Sequence, residues 1–350
     1  MGRRNHFALG LKRFVLKILC TVLGIILAVL VAGTAIVQSG MEQIQRVDPG
    51  EAQPLSWEEL AEFLASETEP VSPDLPTLDP ALVNFAAADK PIGGKHSPVI
   101  NILLIGQDRR PGETRARSDS MILCTVNKET GTLILTSILR DLYVQIPGYG
   151  DNRINAAYAA GGMQLLNETL EHNFGIRVDG NVEVDFNQFQ SIIDRLGGVS
   201  VDLRQDEAEL LNRTLNAGVT AGIQKLTGEQ ALRYARIRSL DSDGDFSRTG
   251  RQRKLIGAMI EAAGDAGMKT LLTLVDEILP MITTDMSNFQ ILSYALELFP
   301  VLPELEIVSQ HVPADGTYSG KMIRGMAVLV ADMDAARTML ERTLLGETGE

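Results

Sequence analysis

A run of twenty uncharged residues near the N-terminus most constrains how this chain can fold. From Ile18 to Val37 every residue is Leu, Ile, Val, Ala, Gly, Thr or Cys, and a helix of this length can cross a bilayer. We predict a basic tail over residues 1–17, a transmembrane helix over residues 18–38, and an exterior remainder. A cleaved signal peptide is the alternative. It is disfavoured because the run exceeds a usual h-region and residues 33–35 form only a weak cleavage site.

The charges before this run predict its orientation. Lys and Arg precede it with no acidic residue among them, and such an excess marks the cytoplasmic side of a span. We therefore expect a single-pass protein with its N-terminus in the cytoplasm and its main domain outside. The basic residues concerned are Arg3, Arg4, Lys12, Arg13 and Lys17.

The exterior part is strongly acidic. It holds 27 of the 32 Lys and Arg and all 45 Asp and Glu, so its formal charge is −18. Nonspecific nucleic-acid binding needs broad phosphate neutralisation, so we expect no nucleic-acid partner. Of the two cysteines, Cys20 lies in the predicted span and Cys124 in an apolar run. No disulfide is predicted, and the domain must be held together by its core.

The rest of the chain divides into a stalk and a domain. Residues 39–97 are rich in Pro and acidic residues, which predicts a stalk with little fixed structure. Within it, Ser56 and Glu59 form a capping-box pattern before a short helix. From residue 98 to 345, apolar strand-like runs alternate with helical patterns, beginning with INILLIG, MILCTVN and TLILTSIL. This alternation predicts an α/β fold with a mixed sheet.

Charged residues follow the first strands at one predicted end of the sheet. The connection after the first strand contains Pro111 and Gly112 and is too short for a helical crossover, so strands one and two should be antiparallel. Asp108, Asp119 and Arg140 then meet at one sheet end. Two carboxylates beside arginines suit Mg²⁺, with Mn²⁺ as an alternative. The competing interpretation is that both Asp residues cap turns and pair with nearby arginines.

A second cluster of charge lies further along the chain. Seven basic residues fall between Arg233 and Lys254, and the only acids there are Asp241, Asp243 and Asp245. Guanidinium groups match phosphate oxygens, so the cluster predicts a phosphate or pyrophosphate site. A salt-bridged surface helix is the alternative.

Two predicted helices carry this cluster. Thr227 should cap the first, TGEQALRYARIR, on which Arg233 and Arg236 share a face and Arg238 lies two residues further along. Ser247 should cap the second. On the second helix two arginines and a glutamine, Arg248, Arg251 and Gln252, share one face that continues into an apolar stripe of Leu255 and Met259. The stripe predicts a ligand with a charged head and an apolar tail, although a helix facing the core would look the same.

Eight ordered motifs then connect the sequence to a known family. Over roughly residues 99–260 the chain resembles the LytR-CpsA-Psr family of cell-wall glycopolymer ligases. The motifs are GQDRR, ARSDSMIL, SILRD, RINAAYAAGG, VEVDF, IIDRLGGVSVDL, LTGEQALRYARIR and DGDFSRTGRQR.

The resemblance implies both a fold and an activity. The fold is a three-layer α/β/α sandwich with a mixed central sheet, behind a single transmembrane helix and with a hydrophobic cleft for a prenyl chain. The activity is a phosphotransferase in the bacterial cell membrane, whose outer domain moves an anionic glycopolymer from a polyprenyl pyrophosphate carrier to peptidoglycan. The polymer would be a teichoic acid or a capsular polysaccharide.

The resemblance also assigns residues. Asp108 and Asp119 match the family's acidic pair associated with Mg²⁺, and Arg140 matches the arginine after the third strand; these three are the expected catalytic residues. The expected pyrophosphate-binding residues are Arg117, Arg236, Arg238, Arg248 and Gln252, with Arg251 beside them.

Two other function classes remain open. A noncatalytic wall-binding or regulatory module could hold a lipid-linked glycan through the arginines alone and would need no metal. A glycosyltransferase or glycosidase could use the DxD-like pair Asp241 and Asp243. The number of arginines argues against the second class, because a glycosidase has no use for them.

Overall fold

Three apolar runs between residues 99 and 138 form the centre of a seven-stranded sheet. The computed structural model describes residues 42, 44–47, 54–56, 58–60, 62, 75–107, 118–241, 243–265, 277–298 and 305–346. The strands in these ranges are β1 Gln45–Arg46, β2 Val99–Gln107, β3 Ser118–Asn127, β4 Thr132–Ile138, β5 Tyr143–Ile146, β6 Gly150–Arg153, β7 Gly180–Asp185, β8 Val199–Leu203, β9 Gly222–Leu226, β10 Thr283–Thr284, β11 Glu306–Val312, β12 Tyr318–Ile323 and β13 Met326–Ala331.

Seven α-helices lie within the same ranges. Short 3₁₀ turns occur at Pro80–Leu82 and Leu279–Met281. The α-helices are α1 Asn155–Phe174, α2 Phe186–Arg195, α3 Gln205–Leu215, α4 Gly228–Ala235, α5 Asp245–Asp265, α6 Asn288–Leu298 and α7 Met333–Leu345.

The sheet is mixed, as the sequence predicts. Its strand order is β1-β10-β7-β2-β3-β4-β11. Strands β2 and β3 are antiparallel, and β3 and β4 form the expected hairpin, whose turn contains Gly131 with φ 66°. In contrast, β7 runs parallel to β2 and β11 parallel to β4. The antiparallel β2–β3 pairing confirms the inference drawn from the short, broken connection between these strands.

Helices cover both faces of the sheet. On one face, α1 and α7 pack against buried residues such as Leu103 and Leu123 in the largest core. On the other face, Ile256 and Ile260 of α5 pack against the sheet around Ile122. A further core lies between α3, α4, α5 and the β8–β9 hairpin. Strand β11 and helix α7 therefore make the C-terminal part of the chain integral to the sheet and its cover.

Helix ends agree with the sequence in one case and differ in another. Thr227 caps α4 and forms a capping box with Gln230. However, α4 ends at Ala235, so Arg236 and Arg238 lie beyond the helix instead of inside it. The prediction that Ser247 caps the next helix is wrong: α5 begins at Asp245. The Ser247 hydroxyl donates to Asp243 Oδ1 at 2.6 Å, inside the first turn.

Part of the predicted stalk packs on the domain. The Ser56–Glu59 capping box is present, with the Glu59 N–H donating to Ser56 Oγ at 3.2 Å. Leu60 is fully buried in the largest core. Residues 75–97 also contact the domain, where Ile92 is buried and its N–H donates to Gly175 O at 2.7 Å. The packed unit thus extends N-terminally of residue 98, because these apolar side chains find partners on it.

The N-terminal anchor stays a prediction. No described helix has both the length and the apolar character needed to cross a membrane. Residues 18–38, where the span is predicted, lie outside the described residues.

Candidate functional site

The floor of a deep cavity is formed by neighbouring strands of the sheet. Leu104 of β2 lies opposite Ile122 of β3 and Val182 of β7, which places three apolar side chains in one row. In the next row Gly106 faces Ser120. A Cβ at Gly106 would lie 3.1 Å from the Ser120 Cβ. The glycine therefore avoids a close contact with Ser120 and adds no side chain to the cavity floor.

Helices close the cavity above this floor with mainly apolar side chains. The cavity has a volume of ≈ 850 Å³, which is in the upper part of the range for small-molecule sites. Because its interior is apolar, it suits a hydrocarbon chain. These side chains include Phe189 and Ile192 of α2, Leu232 and Ala235 of α4, and Ile256 and Met259 of α5.

Arginine and aspartate side chains meet at one end of the cavity. Asp119 enters β3 and Arg140 follows β4, and Arg140 Nη1 lies 2.9 Å from Asp119 Oδ1. The predicted meeting of these two residues at one sheet end is therefore confirmed. Asp141 lies beside them, 3.4 Å from Arg153 Nη1 and 3.8 Å from Arg140 Nε.

Asp245 joins three of the arginines. Its carboxylate lies 2.9 Å from Arg248 Nη2, 3.4 Å from Arg140 Nε and 3.7 Å from Arg238 Nε. Asp245 takes this position because it begins α5, one turn before Arg248. We name these four residues and Asp119 the arginine cluster. It holds three guanidiniums and two carboxylates, so it carries a net positive charge.

Two arginines of this cluster are buried, so an anionic ligand would stabilise their charged forms. Arg248 is 5% exposed and Arg140 9% exposed. Burial lowers the pKa of the Arg248 guanidinium, and the nearby positive charges of Arg238 and Arg140 lower it further. Asp245 offsets these effects only in part. An arriving phosphate would relieve the repulsion, since charge-assisted hydrogen bonds to phosphate are strong.

Two further predicted residues line the cavity next to the cluster. The Arg236 guanidinium carbon lies 4.6 Å from the centre of the Phe186 ring, a cation–π distance. Gln252 accepts a hydrogen bond from Ser120 Oγ at 2.9 Å, which holds its side chain against the floor. Arg236, Arg238, Arg248 and Gln252 all line the cavity.

Arg251 does not join them, contrary to prediction. It is 4% exposed and forms an ion pair with Glu207 Oε1 at 2.7 Å. It also pairs with Asp241 and donates to Ile237 O at 3.2 Å. None of these three partners lines the cavity. Arg251 is therefore a structural arginine that joins α5 to the core beside α3 and α4.

The two residues predicted to contact the lipid lie in different environments. Met259 lines the cavity, but Leu255 is fully buried in the core between α3, α4 and α5. The prediction for Leu255 is wrong because its side chain projects into that core instead of the cavity. Ile256, the next residue, lines the cavity in its place.

Asp241, one acid of the DxD-like pair, forms ion pairs with two arginines. Asp241 accepts from Arg204 at 2.8 Å and also pairs with Arg251. Burial opposes its ionisation, but the hydrogen bonds from these two arginines lower its pKa overall. Asp241 does not line the cavity. This favours a structural role over a DxD-type catalytic one.

One carboxylate of the predicted metal site, Asp119, lines the cavity. Asp108 and Arg117 lie outside the described residues, so Asp119 is the described member of the acidic pair. Within the described ranges no cluster of three His, Cys, Asp or Glu could hold a metal ion. Mg²⁺ does not require one, because it commonly takes one or two carboxylates and completes its shell with phosphate and water.

Sequence reasoning missed the cavity walls and Asp245 as a site residue. The walls come from α2 and α4, whose apolar positions look like those of any helix that faces a core. The motif VEVDF ends at Phe186, but no site role was predicted for this residue. Asp245 could have been found, since it is the acid nearest to Arg248 on the helical turn.

Comparison with known proteins identifies the family of this chain. A model of the LytR_cpsA_psr family matches residues 80–344. The polyisoprenyl-teichoic acid–peptidoglycan teichoic acid transferase TagU of Oceanobacillus iheyensis is 40% identical over 176 residues, which cover 48% of this chain and 53% of the relative. The chain thus spans about half the length of the curated relatives it matches.

Solved structures are similar over most of the described domain. The structure of TagT bound to LIIa-WTA has a TM-score of 0.59 and 27% identity, covering 75% of this chain and 97% of that chain. The LytR-CPS2A-psr family protein YwtF (TagT) with bound octaprenyl pyrophosphate lipid has a TM-score of 0.55 and 27% identity. It covers 76% of this chain and 100% of that chain.

Proposed function

Because the chain belongs to the LytR-CpsA-Psr family, we propose that it is a glycopolymer–peptidoglycan phosphotransferase. It moves an anionic glycopolymer, a teichoic acid or a capsular polysaccharide, from a polyprenyl pyrophosphate carrier to peptidoglycan. A relative named as a teichoic acid transferase and a TagT structure with bound octaprenyl pyrophosphate support this proposal.

One observation carries it: the positively charged arginine cluster opens directly into the apolar cavity. Asp119, Arg238 and Arg248 line the same cavity as Ile256 and Met259. A prenyl pyrophosphate has this combination of a charged head and an apolar tail. Its chain would gain about 0.8 kcal/mol for each methylene buried.

The pyrophosphate would be held by side chains at the mouth. Arg236, Arg238 and Arg248 supply guanidinium forks that match phosphate oxygens, and Gln252 supplies an amide. Arg117, which lies outside the described residues, belongs to the same set through the family motif. Arg251 is not part of this set.

A divalent ion completes the proposed site. Asp119 and Asp108 would hold Mg²⁺, or Mn²⁺, which when bound would stabilise charge on the prenyl phosphate that leaves as the P–O–P bond of the carrier breaks. Arg140 would stabilise the negative charge that develops on the transferred phosphoryl group, since its Nη1 already lies beside Asp119. The apolar walls would exclude water, which would otherwise compete with the acceptor hydroxyl.

The proposed location follows from the N-terminal sequence. The anchor over residues 18–38 would hold the protein in the bacterial cell membrane, with the catalytic domain outside. The cavity could then receive a prenyl chain whose head group lies at the membrane surface. Peptidoglycan and the lipid-linked glycan are the proposed partners.

The test separates chemistry from binding. Asp119→Ala should strongly reduce glycan transfer to peptidoglycan fragments while leaving prenyl pyrophosphate binding nearly intact, because the arginines still hold the head group. Asp108→Ala should behave in the same way. Transfer is measured with Mg²⁺ and with a chelator, and binding by titration.

The control is Asp202→Ala, which removes an exposed carboxylate on β8, away from the cavity. It should transfer glycan as fast as wild type. If wild type binds the lipid but never transfers glycan, the protein is a noncatalytic binding module. Full activity in chelator, with both Asp variants as fast as wild type, would make the acids structural.

A further inference from the structure

Three aromatic side chains meet beside the arginine cluster. Phe246 follows Asp245 in the first turn of α5, and its ring stacks on Tyr318 of β12 with centroids 4.9 Å apart and planes 20° apart. The His311 ring of β11 meets Phe246 edge-on at 5.1 Å. All three are half-buried, and none lines the apolar cavity. We name Phe246, Tyr318 and His311 the aromatic patch.

The sheet places this patch at the reacting end of the proposed site. Strands β4 and β11 run parallel, with His311 opposite Ser137 and Val312 opposite Ile138. Arg140 follows β4 by two residues, so it lies at the same sheet end as His311. The Asp245 carboxylate, 3.4 Å from Arg140 Nε, connects the patch to the cluster.

The polar atoms of the patch are ready to bind hydroxyl or amide groups. His311 Nδ1 lies 2.7 Å from Pro313 O, and because a carbonyl can only accept, Nδ1 is the donor in this contact. The other ring nitrogen, Nε2, lies 3.6 Å from the exposed Asp315 carboxylate. Burial raises the pKa of Tyr318, and the charges of Asp315 and Asp243 raise it further. The Tyr318 hydroxyl therefore stays a donor. It makes no hydrogen bond to another residue that the structure describes.

A buried positive charge lies next to the patch. Arg253 is two turns after Phe246 on α5, and its Nε donates to Ser309 Oγ at 2.6 Å, two residues before His311 on β11. Arg253 is 7% exposed, and its Nη1 has no hydrogen-bond partner among the described residues. No described carboxylate pairs with it, and burial lowers its pKa to about 10. A buried cation without a counter-ion is costly, so an anionic ligand group would be stabilised here.

On the basis of the proposed function, we propose that the aromatic patch is the subsite for the acceptor glycan. A sugar ring of peptidoglycan would lie against the aromatic faces, and Tyr318 and His311 would bind its polar substituents. A carboxylate of the attached peptide would neutralise Arg253. The patch borders the arginine cluster outside the lipid cavity, so an acceptor bound there would approach the phosphate without displacing the prenyl chain.

Tyr318→Ala in the full-length enzyme tests the ring contact. We expect the KM for peptidoglycan fragments to rise roughly five- to tenfold, the size of a lost aromatic contact, with donor affinity unchanged. Tyr318→Phe keeps the ring and should recover most of the loss. Phe289→Ala, which removes an 80% exposed aromatic ring on α6, is the control and should match wild type.

Arg253→Met tests the charge. The KM should rise for fragments that carry acidic peptides and should not change for glycan strands stripped of peptide. Thermal unfolding and prenyl pyrophosphate titration establish that each variant is folded. An unchanged acceptor KM in Tyr318→Ala, or an equal fall in donor affinity, would overturn the proposal.

The two proposals fail in different ways. If wild type transfers no glycan, the proposed function is wrong, and direct titration with peptidoglycan fragments still tests the patch. Binding that is present in wild type and lost in Tyr318→Ala would then support the patch alone. No fragment binding by wild type would remove it.

Discussion

One helix presents two different surfaces along its length. On α5, Arg248, Gln252, Ile256 and Met259 line the apolar cavity. The residues beside them, Arg251, Leu255 and Ala258, are buried against the core between α3, α4 and the β8–β9 hairpin. Both surfaces begin with an arginine and end with apolar side chains, so neither of these features distinguishes them.

Charge compensation does distinguish them. Burial acts to lower the pKa of Arg251, but the hydrogen bonds that it donates to Asp241 and Glu207 outweigh burial and raise the pKa overall. Arg248, three residues earlier, has its pKa lowered by burial and by neighbouring arginines. Guanidinium groups therefore mark a ligand site only where the protein leaves their charge unbalanced. Where carboxylates already balance it, the arginine holds the fold together.

The largest expected effect is on the compensated surface. Arg251→Met should lower the free energy of unfolding by about 3–5 kcal/mol, because it leaves buried Glu207 without its closest partner. Leu255→Ala, one turn further along, should cost about 2–5 kcal/mol through the cavity it creates. Urea unfolding measures both values.

Prenyl pyrophosphate binding gives the counter-check for this surface. Under conditions where Arg251→Met is still folded, its affinity should be close to that of wild type. An Arg251 variant with normal stability and weak lipid binding would reverse the assignment of the two surfaces.

The second-largest expected effect is weaker prenyl pyrophosphate binding at the cavity surface of α5. Arg248→Met should weaken prenyl pyrophosphate binding by about 1.5–3 kcal/mol, the value of a charge-assisted hydrogen bond. Its stability should change little, because Asp245 keeps its contacts with Arg140 and Arg238. Calorimetric titration and urea unfolding of the same sample measure the two quantities together.

A stability loss in Arg248→Met comparable to that of Arg251→Met would contradict this contrast. So would unchanged binding. Either result would mean that charge compensation does not separate the two arginines.

The sequence was sufficient for much of the sheet and for one pair of site residues. Continuous apolar runs predicted β2, β3 and β4, and the short connection between the first two predicted their antiparallel pairing. That pairing brought Asp119 and Arg140 to one sheet end, where they form an ion pair at 2.9 Å. The family resemblance, confirmed over residues 80–344, rests on the same motifs.

The division of α5 could not be predicted in this way. Positions 251 and 252 are three and four residues after Arg248, and both spacings lie on the same side of a helix. Which side chain enters the cavity depends on what packs against each. Arg251 meets Glu207, 44 residues earlier in the chain, and no local pattern encodes that distant contact.

The smallest expected effect tests the cavity surface at its apolar end. Met259→Ala removes a side chain that lines the cavity but only partly packs against the neighbouring core. It should lower affinity for long prenyl pyrophosphates by about 1 kcal/mol, since each buried methylene contributes about 0.8 kcal/mol. Short-chain analogues that do not reach Met259 should bind as they do to wild type. Titration of wild type and variant with a series of chain lengths measures the difference as a change in the slope of binding free energy against chain length.

The control is Leu255→Ala, which is less stable but does not touch the cavity. It should keep the wild-type slope. A uniform loss across all chain lengths in Met259→Ala, or a changed slope in Leu255→Ala, would show that the two surfaces of α5 are not separate in function.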